Sequence, residues 1–289
     1  MNPPTRGEGQ RLIGVRDFIP PIVARRLFAP APAPKRYATY RDALRHCPEQ
    51  GYGNSDIARV VLEKTTRFRD PLQKRSDRGV LLTTPSDLSV GMLYRLATVA
   101  PDIRVLDFGG ACGMHYFIAR ALLPPSCRLR WIVVETPTMV KAASELTDEE
   151  LSFSCSVEDA AATLKSVDLV YSSGALQYLK QPDVGLRALV SVGAPHILFN
   201  RLALTKGDHD VIVVQQSPLS WHGPGEFPAI GMQDRMVDCP LTFLKESSLF
   251  GILREQYEVV ATFPDASGVL PVTGEPIVGM GMLACRKAL

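Results

Sequence analysis

The feature that most constrains this chain is an alternation that begins near residue 100. Short β-branched runs there take turns with stretches of helical spacing. "IRVLDFGG", "LRWIVVE", "LSFSC", "VDLVYSSG" and "HILFNRLAL" read as strands, and "MHYFIARALL", "TMVKAASEL", "SVEDAAATL" and "PDVGLRALVSV" read as the helices between them. Residues 203–240 are expected to be irregular apart from the apolar run Val211–Val214. "FLKESSLFGILREQ" is then a helix, and "YEVVATF" and "IVGMGMLACR" are two strands with no helix between them. Buried, β-branched strands joined by helices pair in parallel and are covered on both faces. The prediction is an α/β fold: a seven-stranded, mostly parallel sheet with an antiparallel terminal hairpin and a helical N-terminal extension.

That extension divides in two. Residues 37–100 read as a helical cap or lid, through "YRDALRHC", "SDIARVVLEKTTRF" and "SDLSVGMLYRLATVA". Ser55-Asp56 and Ser86-Asp87 are the N-cap candidates of the last two. Residues 1–36 form a tail rich in Pro and Arg, ending in the stiff "APAPAP" of residues 29–34. Within the tail, residues 12–28 are apolar but broken by Arg16-Asp17 and Pro20-Pro21, so they do not span a membrane, and no signal-peptide cleavage site follows. "PPIVARRLF" would form a short helix with Ile22, Val23, Leu27 and Phe28 on one face. Either it lies peripherally on an anionic inner-membrane surface, or it is a docking helix or a plain tail. Residues 101–289 are the ligand-binding domain.

A formal net charge of +2 gives no reason to expect a nucleic-acid partner. The six cysteines show no C-x-x-C pair or metal-ligand spacing, so they read as reduced thiols of a cytoplasmic protein that binds no metal.

The chemistry is concentrated at "RVLDFGGACG". In open sheets of this type a ligand sits beyond the carboxyl ends of the strands, where strand order reverses. Gly109 and Gly113 let a ligand approach the backbone, with small Ala111 between them. Asp107 ends the strand, where a carboxylate suits an ammonium group and is poorly placed beside a pyrophosphate. Glu135 closes the next strand and can accept from both ribose hydroxyls. The ligand implied is a nucleoside with a cationic, amino-acid-like tail, which S-adenosylmethionine fits. A nicotinamide dinucleotide is the competing ligand, although the G-x-G-x-x-G fingerprint is missing.

These residues resemble a class I S-adenosylmethionine-dependent methyltransferase, which is Rossmann-like. More narrowly, the chain is similar to a little-characterised bacterial group of methyltransferases associated with surface-polysaccharide loci. "IPPIVARRLF", "GYGNSDI", "VLDFGGACG", "VVETP", "SSGALQYL" and "FNR" carry the likeness. Asn200 departs from the usual Asp-Arg of the last motif, and Ala111 from the general pattern of the turn. The resemblance implies that Asp107, Gly109 and Gly113 line the methionine end of the cofactor and that Glu135 holds the ribose. It places the adenine near Thr136 and Ser156, Val157 or Glu158. It also brings Ser173, Gly174 and Gln177 to the cofactor or the acceptor.

Methyl transfer is an in-line displacement from an activated carbon, so alignment and water exclusion are much of the protein's task, and a hydroxyl acceptor benefits from a base. His222 is the candidate base, with Trp221 as an apolar wall; the alternative is a solvated loop histidine. Arg201 could grip an acidic acceptor or form an internal salt bridge. His115 is a cofactor-wall or capping residue. Tyr52 belongs to a lid over the cofactor or to ordinary packing. Gln215 and Gln216 would face the pocket, whereas His46, His196 and His209 are expected to be structural or solvated. The leading expectation is transfer to a small molecule or glycan precursor, preferably at oxygen. The alternatives are a cofactor-binding module or partner subunit without turnover, and an NAD(P)-dependent oxidoreductase.

Overall fold

The computed structural model describes residues 34–47, 51–73, 93, 96, 100, 102–227, 231–265 and 269–288. The expected tail, its short helix within residues 12–28, and the Ser86-Asp87 cap lie outside them.

Seven strands form the frame: β2 (Asp102–Phe108), β3 (Arg128–Val134), β4 (Leu151–Ser154), β5 (Leu169–Ser173), β6 (His196–Thr205), β9 (Tyr257–Pro264) and β10 (Ile277–Arg286). Their spatial order is β4-β3-β2-β5-β6-β10-β9; the first five are parallel, and β10 runs antiparallel to both β6 and β9. This is the Rossmann-like sheet with its antiparallel terminal hairpin. Strand order reverses between β2 and β5, which places the crevice at the end of β2.

Alternation along the strands separates two cores. Val105, Trp131, Val133, Tyr171 and Leu198 face one side with buried residues of α2 (Ser55–Gln73), α3 (Met114–Leu122) and α4 (Pro137–Ala143). Leu106, Ile132, Val170 and Ile197 face the other, with α5 (Val157–Leu164), α6 (Pro182–Ser191) and α7 (Glu246–Arg254). Thr136 caps α4 and Ser156 caps α5, each accepting from the amide three residues on, and Pro137 and Pro182 start their helices where a missing N–H costs nothing. α3 differs, because Gly113 leads into it at φ 82° with no side-chain cap.

Three more strands build an antiparallel ribbon, of which the sequence reading singled out only the apolar run Val211–Val214. β7 (Val211–Pro218) pairs with β8 (Met236–Lys245), and β1 (Arg36–Tyr37) adds to β7. The ribbon joins the main sheet where Leu244 and Lys245 pair with Leu204 and Thr205. Two properties hid β8. Pro240 interrupts it, and Leu241, Thr242, Phe243 and Leu244 are all buried, so no alternation marks them as a strand. "FLK" therefore ends a strand, and the helix begins at Glu246. A second correction concerns α2: Asn54 Oδ1 accepts from the Asp56 amide at 2.7 Å, so the cap is Asn54 and Ser55 is already helical. The segment expected as a cap supplies β1, α1 (Tyr40–Leu44) and α2, which packs against α3 and α4. Among the described residues no helix is long and apolar enough to cross a membrane.

Candidate functional site

The turn after β2 is crowded. A Cβ on Gly109 would fall 2.1 Å from that of Ala175, and one on Gly110 would fall 2.3 Å from Asp107 Oδ2. Only glycine lets the backbone fold back over the Asp107 carboxyl. Ala111 adopts φ 51° in this bend. The left-handed region costs an L-residue about 1–2 kcal/mol. Its amide is used, donating to Glu135 Oε1 at 3.2 Å.

Asp107 is fully buried, and its Oδ2 accepts from Trp131 Nε1 at 3.1 Å. Oδ1 has no hydrogen-bond partner among the described residues. Burial pushes the carboxyl up to about 7, against the Trp131 bond and with a small push from the Glu135 charge. His115, the second residue of α3, brings Nδ1 to 3.8 Å from Asp107 Oδ2, too far for a hydrogen bond. Burial, helped by the Arg201 charge, lowers this histidine to about 4 and keeps it neutral. Its ring stands edge-on to Tyr171 at 4.8 Å.

Glu135 follows β3. Its Oε2 accepts from the Thr136 amide at 2.8 Å, and burial raises its pKa although both amide bonds oppose this. Each carboxylate oxygen thus keeps a lone pair for a ligand. An unpartnered buried acceptor, a second carboxylate with spare lone pairs, a glycine cradle and an uncapped helix start fit a ligand with an ammonium group at one end and a diol near the other.

The adenine candidates fall differently. The Thr136 and Ser156 hydroxyls are engaged in helix caps, at 3.3 Å to the Met139 amide and 3.0 Å to the Asp159 amide. Val157, the first residue of α5, is buried in the core. At the tip of β5, Ser173 is half-buried and Gly174 lies against the Arg201 side chain. Gln177 is buried, and its Nε2 donates to the Arg201 carbonyl at 3.3 Å.

A second polar cluster lies on the ribbon side. His222 is buried with both ring nitrogens engaged, Nε2 with Ser217 Oγ and Nδ1 with the Tyr52 hydroxyl, each at 3.2 Å. The Tyr52 and Tyr178 rings stand edge-on at 4.6 Å, and the Tyr178 hydroxyl donates to Gln215 Oε1 at 2.8 Å. Burial, with the Lys64 charge beside it, lowers His222 to about 4, so the imidazole is neutral. Lys64 Nζ donates to the Ser220 carbonyl at 2.8 Å, fastening this loop to α2. The Gly51–Gly53 turn that carries Tyr52 lies against both α4 and β8, and so connects the two clusters. Trp221 is 73% exposed and forms no pocket wall. Gln216 turns outward to Asp238. His46, His196 and His209 bond to Asp42, Asp168 and Asp208 respectively, outside both clusters.

Between the clusters stands Arg201. Asn200 and Arg201 together oppose Gly281 of β10, a β-bulge, and Arg201 takes φ 53°. Its amide donates to Asp265 Oδ2 at 3.0 Å. Sequence reasoning passed over Trp131, Ser217 and the Tyr178 hydroxyl. A tryptophan four residues before Glu135, within a strand whose other apolar residues are aliphatic, was the available signal for the first; nothing local marks the other two.

The strand order and the crevice define a Rossmann-like α/β protein whose strand-tip acids face a glycine turn. No protein-family model matches the chain, and no curated protein matches it. Among solved structures, the N-terminal domain of EvdMO1, crystallised with SAH and D-fucose, is similar at 16% identity and TM-score 0.42, covering 78% of this chain and 97% of that one. The N-methyltransferase NodS from Bradyrhizobium japonicum, in complex with SAH, is similar at 16% identity and TM-score 0.40, covering 78% of this chain and 100% of the other. The [4+2]-cyclase SpnF is similar at 12% identity and TM-score 0.46, covering 89% and 99%.

Proposed function

We propose that the chain is an S-adenosylmethionine-dependent methyltransferase acting on a small molecule or glycan precursor, at oxygen. One observation carries this reading: two acids at neighbouring strand tips flank the tight turn, and one of them, Asp107, keeps a buried oxygen without a partner. When bound, S-adenosylmethionine supplies a methyl group already activated on a sulfonium. Asp107 receives the ammonium group, Glu135 takes the ribose hydroxyls, and the turn gives the ligand access to the backbone. Tyr52 closes over the site and excludes water. His222 meets an acceptor only through Tyr52, whose hydroxyl it orients. The reading is of a cytoplasmic enzyme, consistent with unpaired cysteines among the described residues.

Isothermal titration with S-adenosylmethionine and S-adenosylhomocysteine tests the proposal, with NADH as the control ligand. Micromolar binding of the first two and none of the third is expected; the absence of heat with both at millimolar concentration overturns it. The engaged nitrogens of His222 favour one second reading, a cofactor-binding subunit without turnover of its own. Tight binding combined with no methyl transfer across a broad acceptor panel would select it.

A further inference from the structure

We infer that Arg201 reads an oxyanion on the acceptor, so that the substrate class is a carboxylated or phosphorylated molecule; the inference rests on the methyl-transfer reading. The backbone is the first observation. Arg201 sits in the left-handed region within a bulge, where glycine would be relaxed, and bulges beside a site re-aim side chains. The second is that both of its backbone polar groups are held by side chains, the amide by Asp265 and the carbonyl by Gln177. The strained residue is therefore fixed in its pose.

The third observation is where the side chain goes. It lies over the tip of β5, with Cζ 3.4 Å and Nε 3.5 Å from the position a Gly174 Cβ would take. Its charge is felt by His115 of α3, by Tyr52 of the N-terminal turn and by Tyr178 beyond β5. A guanidinium fork between the turn and the tyrosines matches the planar geometry of a carboxylate or phosphate. His115 beside it is neutral, and Arg201 itself is exposed, so an acceptor can reach it.

The test uses the whole protein saturated with S-adenosylhomocysteine and titrated with inorganic phosphate or acetate at constant ionic strength, with chloride as reference. NMR shifts and calorimetry report binding. Wild type is expected to bind one of the two saturably at millimolar concentration. A phosphate response identifies a phosphorylated acceptor and an acetate response a carboxylated one. Arg201→Gln should weaken that binding at least tenfold, and Arg201→Lys by several-fold. Arg201→Gly should abolish it while the melting temperature stays level or rises, because glycine relaxes the bend; this variant separates anion reading from a structural role. Failure of both anions to bind beyond chloride, while S-adenosylhomocysteine binds, overturns the inference and leaves methyl transfer standing. Undiminished binding by Arg201→Gln also overturns it. Failure of S-adenosylhomocysteine itself to bind removes both readings.

Discussion

The two ends of the crevice are built on different plans. At β2 and β3 the groups come from neighbouring strand tips, and the backbone amides of Ala111 and Thr136, one from each tip, hold Glu135. On the ribbon side, Tyr52, Tyr178, Gln215, Ser217 and His222 come from three separate stretches of chain and hold one another by side-chain bonds and ring contacts. The first plan fixes one geometry. The second can be redrawn residue by residue without disturbing the strand tips.

Asp107→Asn should separate the ends most sharply. Removing one partner of a buried charge pair costs about 3–5 kcal/mol, so binding of S-adenosylhomocysteine should fall by more than a hundredfold in calorimetry. The free protein should gain stability. Raising the Asp107 carboxyl from 3.8 to about 7 withdraws on the order of 4 kcal/mol as pH climbs through that window, a cost the amide avoids. The melting-temperature gap between variant and wild type should therefore widen from pH 5 to pH 8. A variant that melts lower at every pH contradicts this account of the tip.

Glu135→Ala should weaken the same ligand by about 1–3 kcal/mol. Unchanged affinity would remove Glu135 from the ribose. Tyr52→Phe acts at the other end and should leave affinity for S-adenosylhomocysteine within about twofold while lowering turnover. Leaving buried partners unsatisfied costs about 1–3 kcal/mol of stability, readable by urea denaturation. A large loss of nucleoside affinity instead would merge the two ends into one unit. In wild type, affinity for a cationic ligand should improve as pH rises towards 7 and level off above it, because only the Asp107 carboxylate attracts an ammonium; a flat profile from pH 5 to 8 would separate that carboxyl from the ligand. The smallest effect is expected from Ala111→Gly, about 0.5–1 kcal/mol of added stability in chemical denaturation with unchanged ligand binding.

The same contrast explains what could be read from the sequence. The parallel frame was legible because each strand ran between a helix end and a turn, and Asp107 and Glu135 stood at those ends. The β7–β8 ribbon was not, since burial on both faces of Leu241–Leu244 erases the period of two and Pro240 argues against a strand. Thr136 and Ser156 show a different difficulty. A hydroxyl before a helix can serve a ligand or a cap, and only coordinates show that both hydroxyls are bonded to helix amides. The bonding of His222 was equally invisible, since Tyr52 lies 170 positions away in sequence.

The seam between ribbon and frame has a consequence for how such a protein can diversify. Only two residues of β8 pair with β6, so the ribbon can be lengthened, shortened or exchanged without shifting the register of any parallel strand. A lineage built this way could redraw the ribbon-side cluster by rewriting one hairpin, while the glycine turn and the strand-tip acids are inherited intact.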